Sequence, residues 1–273
     1  MHRIGCVGPF IFASLICMCS VFSLSMVAEC SDDNTADLVS SIIRRELGAA
    51  RSQGRWMYIS KYEKNGVHIE ARKIQTDDGL LTWILARDSV PLSSNEIEEQ
   101  RKHLNELISD SSFLDSNRKA MREDSRRINA LMAELPGDVH FDCLTKTGSM
   151  ATAHFEPNPD FRPLDVERRI IAGMSGTIQF DLKEMRLVSI TGSEQNDISI
   201  LFGLGRIYKG SSISVSRMPV APGIWEAASV STHIKGEAFF FKTIAQEGEE
   251  FRSGYVPVPA GLSARASLVY LER

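Results

Sequence analysis

The sequence predicts an α+β protein built on an antiparallel β-sheet, and three observations support this class. The segments Gly176 to Asp181 and Leu187 to Thr191 alternate apolar and polar side chains, which is typical of strands with one dry and one wetter face. Tight-turn dipeptides separate such segments at short intervals, as Asn65-Gly66 does near the N-terminus. Three stretches in the first half of the chain instead show the apolar spacing of amphipathic helices.

The overall composition is that of an ordinary globular protein. The chain has 273 residues, of which 43% are hydrophobic and 24% charged, so it is long enough to bury a sizeable core. The formal net charge of −4 provides no bulk basic surface, and a nucleic-acid partner is therefore not expected.

The first 28 residues have the pattern of a Sec-type signal peptide. A short basic start precedes the run from Ile4 to Val27, which contains no charged residue. We place the cleavage site near Ala28 and expect a periplasmic or extracellular mature chain without a transmembrane segment. The alternative is a retained membrane anchor, because the run is long enough to span a bilayer. Cys30 and Cys143 then remain, and they either pair or stay free.

Residues 29–273 are expected to form a single domain. Its first part, residues 35–135, combines a helix, a β-meander with turns at Asn65-Gly66 and Asp78-Gly79, and two covering helices. Ser93 and Glu96 form the capping box that begins the first covering helix. Residues 140–256 form the main antiparallel sheet, with one turn at Lys235-Gly236, and residues 257–273 form a tail.

The helices carry further predictions. The first helix, Thr35 to Leu47, is expected to end at Gly48 and to turn Glu46 towards solvent. The long helix ending near Leu135 has apolar residues at every seventh position, which favours packing on a sheet. Its basic residues either meet anionic lipid head groups or an acidic partner, or form a solvated face. These residues are Arg118, Lys119, Arg122, Arg126 and Arg127, interleaved with Glu123 and Asp124.

No motif indicates a catalytic, cofactor or metal site. His140 with Asp142, and His154 with Glu156, could each supply two metal ligands from one strand face, but no third ligand is indicated. The chain has no G-x-S-x-G, phosphate-loop, H-E-x-x-H or C-x-x-C motif. We therefore expect no enzymatic activity, no cofactor and no metal. A hydrolase with its site near His140 or His154 is the remaining alternative.

The apolar residues of the later strands form the candidate ligand site. They are expected to line one face of a curved sheet, either around a cavity suited to an acyl chain or as part of a filled core. The candidate residues are Ile178, Phe180, Val188, Ile190, Ile213, Val215, Phe239 and Phe241.

The central hairpin also resembles a known family. Gly176-Thr-Ile-Gln-Phe-Asp181 followed by Leu187-Val-Ser-Ile190 is similar to the recurring hairpin of the periplasmic outer-membrane lipoprotein carrier and sorting (Lol-type) superfamily. The resemblance covers about Phe141 to Tyr255. It implies a strongly curved, half-open antiparallel barrel with helices packed on its concave face. It also implies that the cavity carries acylated proteins.

Two main function hypotheses follow. In the first, the protein is a secreted or periplasmic, non-catalytic half-barrel that binds an acyl chain, a lipid or a lipoprotein. In the second, it is an envelope structural or protein-interaction module in which the sheet face is filled core and the basic helix contacts a partner. The sequence leaves this choice and the oligomeric state open.

Overall fold

The computed structural model describes residues 35–50, 54–161, 163, 165–200, 205–238 and 242–272. Within them, five helices and thirteen strands form an α+β fold with one large antiparallel sheet, as the alternation predicts. The predicted signal peptide and Cys30 lie outside the described residues, as does the side chain of Cys143.

The bounds of the elements are as follows. The helices are α1 (Thr35–Ala50), α2 (Ser94–Ser109), α3 (Ser111–Asp138), α4 (Val166–Gly173) and α5 (Ala264–Leu271). The strands before α4 are β1 (Arg55–Lys64), β2 (Val67–Thr76), β3 (Gly79–Arg87), β4 (Val90–Pro91), β5 (Val139–Thr147) and β6 (Met150–Pro157). The strands after α4 are β7 (Met174–Asp181), β8 (Arg186–Glu194), β9 (Ile198–Ile200), β10 (Gly205–Ile207), β11 (Ser212–Ala221), β12 (Ile224–Ala238) and β13 (Lys242–Val258).

The strands form one continuous, open ladder. Their order is β4-β3-β2-β1-β13-β12-β11-β8-β7-β6-β5, and β10 pairs with the far end of β12 and with β9. Among the described strands, the edges β4 and β5 do not pair with each other, so the sheet is not closed. Because β13 lies between β1 and β12, the N-terminal meander and the main sheet form one structure.

Local signals determine several elements as predicted. Asn65 and Gly66 both have positive φ angles, 55° and 77°, and connect β1 to β2 in a tight turn. Ser93 and Glu96 form the capping box of α2. In contrast, α1 continues past Gly48 to Ala50, so Gly48 does not cap this helix.

Gly236 does not form the turn that the sequence predicts. It lies inside β12, where a Cβ atom would be only 2.3 Å from the carbonyl oxygen of Arg206 on β10. A glycine here therefore permits two backbones to approach closely, which is the second common role of glycine within a strand.

Two clusters of buried apolar residues lie on opposite faces of the sheet. The first joins α1 to strands β5–β8 and includes Ile42 and Phe180. The second joins α2 and α5 to β2 and β3 and includes Leu81, with Met57 of β1 packed against it. Tyr58 follows Met57 in β1 and therefore points to the face of the first cluster. Helices thus cover both faces, which differs from the expectation that they share one concave face.

Helix α3 connects the two clusters. Leu114 near its start packs against the second cluster, and Met132 and Leu135 near its end pack in the first. The predicted apolar stripe, which repeats every seven residues, therefore packs at its two ends. Between these ends Ile128 is 60% exposed.

Candidate functional site

A row of directly paired side chains crosses the sheet on the face that α1 covers. Ile178 of β7 pairs with Ile190 of β8, Ile190 with Val215 of β11, and Val215 with Val230 of β12. Directly opposite residues of neighbouring antiparallel strands point to the same face. These four side chains, which we call the apolar row, therefore form a continuous strip across four strands.

The burial of the apolar row decreases along its length. Ile178 is 0% exposed and lies in the cluster beneath α1, whereas Ile190 is only partly buried against that cluster. Val215 and Val230 are half-buried. Since α1 packs mainly against β5, β8 and α3, its cover does not extend fully over β11 and β12. The row is therefore core at one end and accessible at the other.

The structure brings together five of the eight candidate ligand residues. Ile178 and Phe180 are fully buried in the α1 cluster, and Ile190 and Ile213 pack against it. Val215 belongs to the apolar row. Of the other three residues, Val188 lies at a register shift between β7 and β8, and Phe239 and Phe241 lie outside the described residues.

A bulge changes the position of Val188. The pairing shifts between Gln179 and Phe180, so that Phe180 lies opposite Leu187 and Gln179 opposite Ser189. Val188 therefore has no direct partner on β7, and Leu187 is the residue buried in the α1 cluster. A β-bulge therefore interrupts the alternation at Val188, because it inserts one extra residue into the repeat.

A buried ion pair attaches α1 to the sheet beside this row. The Glu46 carboxylate accepts two hydrogen bonds from the Arg186 guanidinium, at 2.7 and 2.9 Å, and one from the backbone N–H of Leu187. Arg217 Nη1 lies 2.6 Å from the same carboxylate. Glu46 is thus buried rather than turned towards solvent, because two arginines and a backbone group satisfy its charge.

The row continues into a polar cluster on the neighbouring strands. Val230 pairs with Glu250 of β13, and Glu250 pairs with Tyr62 of β1. Lys73 Nζ and Ser60 Oγ donate hydrogen bonds of 2.6 and 2.5 Å to Glu250. This cluster, defined by Tyr58, Ser60, Lys73, Glu250, Arg252 and Tyr255, occupies the same face as the apolar row.

Hydrogen bonding keeps Glu250 ionised. Burial alone would raise the pKa of its carboxyl group, but hydrogen bonds from Arg252, Lys73 and Ser60 outweigh burial and lower the pKa to about 2. Arg252 donates through Nη2 at 2.7 Å. Its Nε atom is buried and has no hydrogen-bond partner among the described residues.

Aromatic rings form the other side of the polar cluster. The rings of Tyr58 and Tyr255 stack with centroids 5.1 Å apart, and the Arg252 guanidinium lies 5.4 Å from the Tyr58 ring centroid. Burial raises the pKa of Tyr58 to about 12, so its hydroxyl stays protonated. The cluster therefore offers hydrogen-bond donors and cations next to an apolar strip.

Sequence reasoning missed the polar cluster because its members are far apart along the chain. Tyr58 and Arg252 meet only through the pairing of β1 with β13. One signal was available: Trp56, Tyr58, Ser60 and Tyr62 alternate in β1 and therefore share a face. Alternation cannot reveal which strand supplies their partners.

A groove lies at the end of the β1–β2 hairpin, beside β12 and β13. It has a volume of about 650 Å³ and is lined by side chains that include Glu63, Glu70, Glu247, Glu249 and the half-exposed Phe251. Its lining is mostly charged or polar. The groove is consequently a poor match for an acyl chain.

The histidine–carboxylate pairs lie at the surface. His140 Nε2 is 3.4 Å from Asp142 Oδ1, and both side chains are well exposed. His154 is also exposed. Within the described part of the chain, no three His, Cys, Asp or Glu side chains converge as metal ligands.

Comparisons with known proteins find no relatives. A scan against protein-family models, a search of curated proteins and a search of solved structures each return no match to this chain. Among the described helices, none combines the length and the apolar character needed to cross a bilayer. The resemblance to the lipoprotein carrier and sorting superfamily therefore stays a prediction.

Proposed function

We propose that the protein binds an acyl chain, either free or as part of a lipid or lipoprotein, on the α1 face of its sheet and catalyses no reaction. The proposal includes a secreted or periplasmic location. The observation that carries it is the apolar row, whose residues pass from full burial at Ile178 to half-burial at Val215 and Val230. A ligand that covered the exposed end would remove apolar surface from water, at about 25 cal/mol per Å².

Strong curvature of the sheet into a half-open barrel, with α1 on the concave face, is part of the proposal. The lengths of β12 and β13, 15 and 17 residues, support it because long antiparallel strands twist and coil. The open edges β4 and β5 are compatible with a half-barrel. Such a shape would leave space beside α1 for one extended chain.

The polar cluster gives the proposed ligand an orientation. An acyl chain along Val215 and Val230 would bring its polar end to Glu250 and its neighbours, since Val230 pairs directly with Glu250. The buried Nε of Arg252 is a donor without a described partner at this end. A carbonyl, carboxylate or phosphate oxygen would satisfy it.

Native mass spectrometry tests the proposal directly. Protein purified from its own envelope fraction, without detergent, is expected to carry an additional mass that organic extraction removes and that is identified as a lipid or acyl chain. A clean apo mass, combined with no uptake of lipid or apolar dye, would overturn the proposal. That result would favour the interaction module with a filled core.

A pair of neighbouring variants locates the ligand. Val215→Asp places a charge on the apolar row, and Ser214→Asp places the same charge on the opposite face of β11, where Ser214 pairs with Thr191 and Ser231. We expect Val215→Asp to lower the bound fraction at least tenfold and Ser214→Asp to leave it unchanged. Val215→Ser, a milder change, replaces Val215→Asp if the latter does not fold. If both variants retain the same fraction of bound ligand, the ligand binds elsewhere on the protein.

A further inference from the structure

Two partly accessible cations lie where the apolar row ends. The side chains of Lys73 and Arg252 are 15% and 27% exposed, and both contact the carboxylate of Glu250. Glu250 in turn pairs directly with Val230, the last residue of the row. An ammonium group has three N–H donors and a guanidinium group has five, so the hydrogen bonds to Glu250 leave further donors for a ligand.

The charged side chains beside the row and in the polar cluster carry an excess of positive charge. They comprise four cations and three carboxyl groups, namely Arg186, Arg217, Lys73, Arg252, Glu46, Glu226 and Glu250. The cations therefore exceed the carboxylates by one even when every carboxyl group is ionised. Burial raises the pKa of Glu226 despite three neighbouring arginines, which favours its neutral form and adds to the excess. Because an uncompensated charge is costly away from water, this face favours an added anion.

The hydrogen bonds of the polar cluster point to a ligand that accepts rather than donates. One carboxylate oxygen of Glu250 already accepts hydrogen bonds from Ser60 and Lys73, and the other accepts one from Arg252. The buried Arg252 Nε, in contrast, is a donor without a partner among the described residues. A carboxylate or phosphate oxygen therefore fits the cluster better than an amine or a second hydroxyl group.

The spacing of the strands sets the length of the apolar part. Ile190, Val215, Val230 and Glu250 lie on four neighbouring strands and pair in turn. Three strand spacings, about 14 Å in all, therefore separate the partly covered Ile190 from Glu250. An acyl chain of medium length has a similar length in its extended form, so its polar end would reach Lys73 and Arg252.

We propose that the site takes an amphiphile with an anionic head group, a carboxylate or a phosphate, that contacts Lys73 and Arg252. Its acyl chain lies along Val230 and Val215. This inference rests on the proposed function and narrows its ligand from acyl chains in general to those with a negatively charged end. Acyl groups joined by neutral ester or amide bonds, as in a lipoprotein, lack this charge and bind more weakly.

Equilibrium dialysis with radiolabelled probes tests the inference on protein purified from its own envelope fraction without detergent. The probes share one chain length and differ in the head group: dodecanoate, dodecyl phosphate, dodecanol and dodecylammonium, each below the concentration at which it forms micelles. We expect one or both anionic probes to bind at least tenfold tighter than dodecanol, and dodecylammonium to bind most weakly. A preference for dodecanoate would assign the head group to a carboxylate, and a preference for dodecyl phosphate would assign it to a phosphate.

The neutral probe separates this inference from the proposed function on which it rests. Dodecanol that bound as tightly as both anionic probes would overturn the inference and leave the proposed function standing. Tighter binding of dodecylammonium than of the anionic probes would have the same consequence. If none of the four probes bound, the inference and the proposed function would both be overturned.

A variant on β2 tests the contact with Lys73. Lys73→Met is expected to weaken binding of the anionic probes at least fivefold and to keep binding of dodecanol within about twofold, because only a charged head group gains from the ammonium group. The matched control is Lys61→Met on β1. It removes the same charge from the opposite face of the sheet, where Lys61 is exposed beside Glu70, and should leave all four affinities unchanged. An equal loss for dodecanol in Lys73→Met would indicate a structural role and would overturn the inference.

The salt dependence of the wild-type protein provides a second measurement that does not require Lys73→Met to fold. Raising the salt concentration from about 0.02 M to about 0.3 M should lower the affinity for the preferred anionic probe relative to that for dodecanol, because salt screens the attraction between charges. Affinities for the two probes that changed in parallel would overturn the inference.

Discussion

The carboxyl group of Glu194 is buried without a hydrogen-bond partner among the described residues. Its side chain is 2% exposed, and neither carboxyl oxygen has a hydrogen-bond partner in the described part of the chain. A Cβ atom on Gly173 would lie only 2.9 Å from Glu194 Oε2, so the carboxyl group is closely packed under the end of α4. Burial raises the pKa of Glu194 from 4.5 to about 8.

This shift predicts a stability that falls as pH rises. Glu194 ionises near pH 4.5 in the unfolded chain and near pH 8 in the folded chain. The free energy of unfolding is therefore highest below pH 4.5, and it falls as the pH rises from 4.5 to 8. The total loss is as much as about 4 kcal/mol. Glu194→Gln should remove this loss and should therefore be more stable than the wild type at pH 8. Urea unfolding at pH 5, 6.5 and 8 measures it.

The control for this prediction is Glu249→Gln, which changes an exposed carboxyl group on β13 and should leave the pH dependence as it is. A wild-type stability that stays flat between pH 5 and 8 would show that Glu194 is partnered or hydrated in solution.

At the scale of elements, α1 depends on one carboxylate. Glu46 is the shared acceptor for Arg186, Arg217 and the backbone of Leu187. Removing one member of a buried ion pair costs about 3–5 kcal/mol because the remaining charge is left without compensation.

We therefore expect Glu46→Ala to lower the free energy of unfolding by about 3–5 kcal/mol and to increase binding of an apolar dye, as α1 detaches from the sheet. Asp37→Ala, at an exposed position of the same helix, should cost less than about 1 kcal/mol. Chemical denaturation of both variants provides the comparison. Similar losses in the two variants would mean that helix propensity, not the ion pair, determines the effect.

A second element-scale prediction concerns the contact between β10 and β12. Gly236→Ala should destabilise the protein by about 1–3 kcal/mol, because the added methyl group meets the Arg206 carbonyl. Gly248→Ala in β13 is the matched control, since a Cβ atom there has no neighbour within 4 Å. It should be neutral or slightly stabilising. Thermal unfolding measures the stability of both variants. An equal change in stability for the two would contradict this account.

At the scale of the whole molecule, two apolar cores share one sheet. The cores lie on opposite faces and at opposite ends of the strand order, but β13 hydrogen-bonds to both β1 and β12. Separate unfolding of either end would expose unpaired strand edges in the middle of the sheet. The continuous ladder therefore couples the two cores.

Leu81→Ala in the second core and Ile178→Ala in the first should each lower the stability by about 2–5 kcal/mol, and each should shift one common unfolding transition. Tryptophan fluorescence reports Trp56, Trp83 and Trp225, of which Trp83 lies in the second core, and far-ultraviolet circular dichroism reports the whole sheet. Coincident transitions by both probes are the expected result. Two separate transitions, with each variant moving only one of them, would show that the cores are independent.

Much of the fold could be predicted from the sequence alone. Alternation determines the hairpin of β7 and β8, and Asn65-Gly66 and Ser93 with Glu96 determine a turn and a helix start, because these signals depend on neighbours within a few residues. The same local reasoning failed where distant chain segments meet. Gly236 is a glycine because β10 passes against it, and Glu46 is buried because Arg186 and Arg217 are present.

The candidate site, like the fold, could be predicted from the sequence only in part. The sequence by itself determined that Ile178, Ile190 and Val215 are inward-facing strand residues, since the period of a strand is two. Only the tertiary structure decided that these residues align in one row and that the row ends at Glu250 and Arg252. Strand register and helix placement depend on pairing between segments up to 203 residues apart, as between Arg55 and Val258. No pattern within one segment contains that information.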